Sequence, residues 1–168
     1  MSRVDKNKAV IAYLLQCTDI YNSALYFNLI NPKDSTIQML TTSEDKAMSK
    51  RYIDGSIAKR YTFTLVIYKS MSDLEVIKPI GTDEYPNENV DELQDVQKLI
   101  DWIAEQQDSQ NYPDFGDKCI IDDIYTTTEE PRFNGINTEM NPPLGMYSIA
   151  VVIEYLDISK VIFNNTNN

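Results

Sequence analysis

Histidine is absent from the 168-residue chain. That absence removes the Ser-His-Asp and Cys-His arrangements of nucleophilic catalysis, and the imidazole ligands of the usual zinc sites. Cysteine is scarce. Cys17 and Cys119 are too few for a disulfide framework and too far apart for a paired-thiolate metal motif. Each sits beside apolar residues, Leu14-Leu15 and Ile120-Ile121, and reads as a reduced core residue. Of the five glycines, none stands in a GxxxxGK[ST] or GxGxxG pattern, so no phosphate cradle is supported. No apolar run reaches the roughly 18 residues that a membrane-spanning helix needs. The first such run, Ala9 to Leu15, is short for a secretion signal and has no small-residue cleavage site after it. It reads instead as part of an amphipathic helix. Basic residues number 15 against 26 acidic ones, a net charge of −11. Such a balance weighs against binding nucleic acid by neutralising phosphates, though not against lining a passage through which nucleic acid slides.

What charge there is falls unevenly. Residues 1–69 hold ten Lys and Arg against six acids, a surplus of +4, and residues 70–168 hold five against twenty, a deficit of −15. Such a split suits head-to-tail packing of identical subunits, with the basic part of one on the acidic part of the next. It equally suits two solvated surfaces. The hydrophobic content of 42% and the eleven tyrosines fit a globular chain with a real core. A single domain is expected over residues 1–157, followed by a tail over 158–168 whose end, NNTNN, is expected to be disordered.

The longest helical pattern runs from Asn87 to Asn111. Val90, Leu93, Val96, Leu99, Ile100 and Ile103 form one apolar stripe, with Trp102 at its edge. Asn89 and Glu92 have the spacing of a capping box, and Asn111-Tyr112-Pro113 stops the helix. A first helix is expected from Ser2 to about Cys17, capped by Ser2 with Asp5 and burying Val10, Tyr13, Leu14 and Cys17. Ala24–Ile30 and Thr36–Leu40 read as two short strands paired as a hairpin around Asn31-Pro32. Thr41–Gly55 reads as a polar surface loop or a short helix over 43–50.

Ser56–Ser70 carries the clearest strand signal, with Tyr61, Phe63, Leu65 and Ile67 facing a core. Its other face turns apolar at Val66 and Tyr68, so that end is expected to be covered as well. Met71–Pro86 reads as a linker, Lys118–Thr128 as a strand, Glu129–Pro143 as a polar connection and Leu144–Asp157 as a final strand. These patterns predict an α+β two-layer sandwich of four to five mainly antiparallel strands, with two helices on one face in the order α-β-β-β-α-β-β.

Candidate chemistry is thin. Asp108, Asp114, Asp117, Asp122 and Asp123 lack the spacing of a calcium loop and read as a solvated acidic turn. Asp91, Asp95 and Asp101 read as the wet face of the long helix, not as an acid/base set. In the long strand, alternation puts each basic residue opposite its neighbouring tyrosine. Core packing therefore explains Arg60-Tyr61 and Tyr68-Lys69 better than nucleic-acid stacking does. No catalytic, cofactor-binding or metal-ligating residue is nominated.

Four pieces carry a family likeness: R-Y-x-F-x-L-x-I (Arg60 to Ile67), I-D-W-I (Ile100 to Ile103), N-Y-P-D-F (Asn111 to Phe115) and I-E-Y (Ile153 to Tyr155). Together they cover roughly residues 55–157, which resemble the minor capsid or tail terminator (tail-completion) proteins of phages and prophages of Gram-positive hosts. The resemblance implies a homohexameric ring at the head-proximal end of the tail tube. Such a ring stops tube polymerisation, offers a surface to head-completion or neck proteins, and lets DNA pass without specific binding. It further implies assembly in the host cytoplasm and a final place at the head–tail junction of the virion, away from any membrane. The other readings are a different neck or baseplate protein, or a small regulatory domain holding an acyl or aromatic ligand over its sheet. Under the leading reading, Lys46, Lys50 and Arg51 are candidate contacts on one side of an interface. Asp91, Asp95 and Asp101 are candidates on the other. The long polar segments Thr41–Gly55 and Glu129–Pro143 are candidate contact loops.

Overall fold

A computed structural model describes residues 2–21, 24–29, 33–41, 50–71 and 88–161. The elements in chain order are α1 (Arg3–Leu14), α2 (Thr18–Tyr21), β1 (Ala24–Phe27), β2 (Thr36–Thr41), β3 (Lys50–Arg51), β4 (Ile57–Ser70), α3 (Glu88–Asp108), β5 (Cys119–Thr126), β6 (Arg132–Asn137) and β7 (Leu144–Asp157). All seven strands belong to one sheet. It is an α+β sandwich of two layers, as the patterns predict, with more elements than expected.

The centre is β4 against β7. They pair antiparallel over their whole length, from Ile57 opposite Asp157 to Ser70 opposite Leu144. Alternation puts Tyr61, Phe63, Leu65 and Ile67 on the same face as Tyr147, Ile149, Val151, Ile153 and Tyr155, and all are buried. Each burial of this kind contributes roughly 1.5–3 kcal/mol. Both central strands have an outer neighbour made in two pieces. β2 lies along residues 63–68 of β4 and β3 along 57–58. β5 lies along residues 151–157 of β7 and β6 along 144–148.

The helices cover one face. α1 starts on the expected capping box: the Asp5 amide donates to Ser2 Oγ at 3.3 Å, and the Ser2 amide donates to Asp5 Oδ2 at 3.1 Å. Val10, Tyr13, Leu14 and Cys17 are buried as predicted. α3 buries Val96, Leu99, Ile100 and Ile103, while Leu93 is 38% exposed. It ends in a Schellman motif. Gln110 takes φ 54°, the Asn111 amide donates to the Gln106 carbonyl at 2.9 Å and the Gln110 amide to the Gln107 carbonyl at 3.1 Å. Buried Pro113 then prevents resumption of the helix.

Several expectations need correction. β1 and β2 are parallel, Ala24 opposite Thr36 and Phe27 opposite Met39, so they are not a hairpin. Alternation assigns faces but is blind to direction, and Leu25 and Phe27 share a face with Ile37 and Met39 either way. Between the first helix and β1, Thr18–Tyr21 adds a short helix that buries Ile20. Asn89 lies inside α3, which begins at Glu88, so it is not the cap. Glu129–Pro143 is not wholly a loop, because Arg132–Asn137 forms β6. In Thr41–Gly55, Lys50 and Arg51 form β3. A tight turn follows, in which the Gly55 amide donates to the Tyr52 carbonyl at 3.1 Å. Gly55 is required there: its φ is +92°, and a Cβ would stand 2.5 Å from the Lys160 carbonyl oxygen. Residues 42–49, residues 72–86 of the expected linker and the tail beyond Val161 lie outside the described residues.

The expected cover at Val66 and Tyr68 is present. Both are buried with Leu144, against Leu40 and Met146, on the face away from the helices.

Candidate functional site

The strand order β1-β2-β4-β7-β5 gives the charge split a place in space. Strands from the surplus-positive first part of the chain occupy one half of the sheet, and those from the acidic second part occupy the other. The seam between β4 and β7 divides them. α3, the most acidic helix, lies over β5 on the acidic side.

The nominated contact residues take up different situations. Lys50 and Arg51 are exposed on β3 and have no ion pair among the described residues, the Lys50 ammonium lying 5.3 Å from the centre of the Tyr52 ring. Lys46 lies outside the described residues. Asp91 is in the first turns of α3, and its side chain is likewise outside them. Asp101 is exposed and accepts from Gln97 Nε2 at 3.1 Å. Asp95 is not a free contact. It accepts from Lys98 at 2.6 Å and from Lys69, at the end of β4, at 3.3 Å. The Lys98 hydrogen bond, chiefly, holds its carboxyl below the usual range. It ties α3 to the sheet.

A groove of about 440 Å³ lies where β3, β4, β7 and β5 run side by side. Half-exposed Tyr52 and Ile120 line it with Ala58 and Leu156, and Arg60, Asp122 and Glu154 supply its charge. Arg60 and Glu154 face each other across the ladder, Nε donating to Oε1 at 2.7 Å. The Tyr125 hydroxyl donates to the same carboxylate oxygen at 3.1 Å, and burial together with this carboxylate raises the phenol above its ordinary value. On the other face, Lys59 donates to Asp157 at 2.7 Å. Burial opposes ionisation of Asp157, but hydrogen bonds from Lys59 and Ser159 outweigh it and hold the carboxyl well below the usual range.

Under this end of the sheet, Lys6 is buried. Its ammonium donates to the Tyr155 hydroxyl and lies 4.1 Å and 5.6 Å from the centres of the Tyr155 and Phe115 rings. Phe115 in turn meets Tyr61 and Tyr155 edge-on at centroid distances of 5.7 and 5.4 Å.

The acidic turn works as a turn. Asp114 Oδ1 accepts from the Gly116 amide at 2.7 Å, closing an Asx turn. Among the described residues, no three His, Cys, Asp or Glu side chains group so as to hold a metal ion. Cys17 is buried, and its thiol is pushed up by that burial, while Cys119 is only half-buried. Both are free.

No family model, curated protein or solved structure matches this chain.

Reasoning from the sequence missed the Arg60–Glu154–Tyr125 group and the buried Lys6. The first had a signal: Arg60 and Glu154 are opposite charges well inside the two long strands. The second had none, because Lys6 looks like any surface lysine of an amphipathic helix.

Proposed function

We propose that this chain is a structural virion protein, a ring-forming tail terminator at the head-proximal end of a phage tail tube. It stops tube polymerisation and joins tail to head, contacting the tube protein on one side and a neck or head-completion protein on the other. Its role is assembly rather than catalysis, and DNA passes through the ring without specific contacts.

The observation that carries this reading is the convergence of the four motif pieces. Tyr61 pairs with Ile153. Phe115 stacks against Tyr61 and Tyr155. Ile100 and Ile103 enter the same cluster, and Trp102 lies 5.1 Å from the Tyr13 ring at its border. The residues that carry the likeness therefore form one packed unit, as expected of motifs that specify a shared structural domain. The charge division across the sheet supports an assembling role as well.

Mass photometry of the purified protein, with cryo-EM of tails carrying it, tests the reading. Closed rings at one end of the tube are expected. A strict monomer that never associates with tail tubes overturns it. A position elsewhere in the neck or baseplate is the nearest competing result, and gene order separates the two, since a terminator gene should lie directly upstream of the tail-tube gene.

The groove favours a second reading, a small domain that binds an amphipathic aromatic or acyl ligand between Tyr52 and Ile120. Ligand-dependent thermal stabilisation, lost in Ile120→Lys, is required to keep it.

A further inference from the structure

We propose that copies of this chain join head to tail through opposite edges of their sheets, the β1–β3 edge of one against the β5–β6 edge of the next. This rests on the assembling role proposed above and names the surface that serves it.

Among the described residues, the outer side of the first edge has no partner strand. Natural edge strands are blunted by charge, proline or bulges. β1 reads Ala-Leu-Tyr-Phe, carries none of these, and pairs only with β2 among the described residues. Phe27 and Leu29 stand exposed beside it. Further along this side, one strand's width further in because it pairs directly with β4, β3 presents the long side chains of Lys50 and Arg51.

The second edge is opposite in charge and different in build. Asp122, Glu129, Glu130 and Glu139 are exposed along it, as are the apolar Ile120 and Phe133. Both of its strands are bulged, at Ile121/Asp123 and at Phe133/Gly135. Bulges interrupt a backbone ladder, so this edge offers side chains more than free backbone groups.

The ladders place the two edges in step. One row across the sheet runs Leu25, Ile37, Ile67, Tyr147, Phe133, and a second runs Lys50, Ala58, Leu156, Ile120. A neighbour set side by side therefore brings the Phe27 end of one edge level with the Phe133 end of the other. Lys50 then comes level with Ile120 and Arg51 with Cys119, and Asp122 follows diagonally, about two residues past Lys50's row. Phe27 and Phe133 also share a face, since Phe27 lies opposite core-facing Met39 and the Phe133 ring packs 5.4 Å from core-facing Tyr147.

Because the two edges differ, the contact is heterologous. Each copy offers one of each, and successive copies turn with the sheet twist until the series closes into a ring. Pairing two β1 edges about a two-fold axis would leave the acidic edge without a partner.

The test is a charge exchange read by sedimentation velocity at low salt, with circular dichroism confirming that every variant is folded. Lys50→Glu with Arg51→Glu should weaken self-association about tenfold or more, as expected for two reversed rim charges. Adding Asp122→Lys, which lies diagonally across from Lys50 in this register, should restore part of the loss. Phe133→Lys, on an exposed side chain, should weaken association without reversing any charge pair. Assembly unchanged by Lys50→Glu and Arg51→Glu overturns the edge contact while the tail-terminator reading stands. Weakening without rescue overturns the pairing of these two edges. A wild-type protein that stays monomeric at all concentrations also overturns the contact, and imaging on tails then judges the terminator reading separately.

Discussion

On the helix side of the sheet, Tyr61, Phe63, Leu65 and Ile67 of β4 and Ile149, Val151, Ile153 and Tyr155 of β7 are all within a few per cent of complete burial. On the opposite side, the same two strands present Arg60, Thr62, Thr64, Ser148, Ala150 and Glu154, each partly exposed. That second side closes at one end, over Val66, Tyr68 and Leu144, and locally at Val152. One side thus holds the domain together by apolar packing, where each lost contact is felt. The other is held by cross-strand pairs in partial contact with water, which contribute little and leave room for a groove. The difference shows how a single pair of strands can supply stability on one face and a usable surface on the other.

Substitutions can break this contrast or sharpen it. Phe115→Ala empties the point where Tyr61, Tyr155 and Lys6 meet and should cost about 3–5 kcal/mol, measured by urea unfolding. A cost under about 1 kcal/mol would dissolve the distinction between the faces. Trp102→Ala, at the half-buried border of the same core, should cost about 2 kcal/mol. A loss equal to that of Phe115→Ala would extend the core to the helix edge.

Gln38 lies beside Val66 at the closed end of the second side. It is fully buried, and neither amide atom has a hydrogen-bond partner among the described residues. Gln38→Met, close in volume, should therefore raise stability by about 1 kcal/mol. A decrease would show that the amide is satisfied in solution. Arg60→Ala should cost less than about 1 kcal/mol, because both it and Glu154 are substantially exposed. If its thermal shift matches that of a core substitution, the second side is no mere surface.

The smallest effect concerns acid. The folded-state carboxyl of Asp157 titrates below its ordinary 3.8, so the stability it contributes is present above that pH and is lost as pH falls through and below it. Urea midpoints between about pH 5 and pH 3 should fall less steeply in Asp157→Asn than in the wild type. Parallel slopes would assign the acid sensitivity to other carboxylates.

The two long strands were legible because their apolar residues are β-branched or aromatic and alternate without interruption; β7 matches its expected limits at both ends. The stripe of α3 was legible for the same reason at a different period. Less could be read where pairing, not pattern, makes the strand. Arg132–Asn137 (RFNGIN) has no alternation and contains a glycine. It is a strand because residues 144–148 of β7 offer an edge beside it. Lys50–Arg51 is extended for the same reason beside β4. The nominated interface residues were chosen by charge alone, and charge cannot distinguish Asp95, committed to Lys69 and Lys98, from exposed Asp101. The halves of opposite charge were visible as numbers, but the strand order was needed to turn them into edges.

The pairing of β4 with β7 has a consequence for how the chain acquires its shape. Its partners are 74 to 100 residues apart in sequence, with α3, β5 and β6 between them. The largest ladder of the molecule is therefore also among its least local, and closing that loop comes before most of its stabilisation is gained. Folding is expected on the slow, millisecond-to-second scale of β-rich topologies. During synthesis, β4 waits with one long edge unclaimed until the last strand emerges, which makes that interval the one in which the chain is most exposed to mispairing.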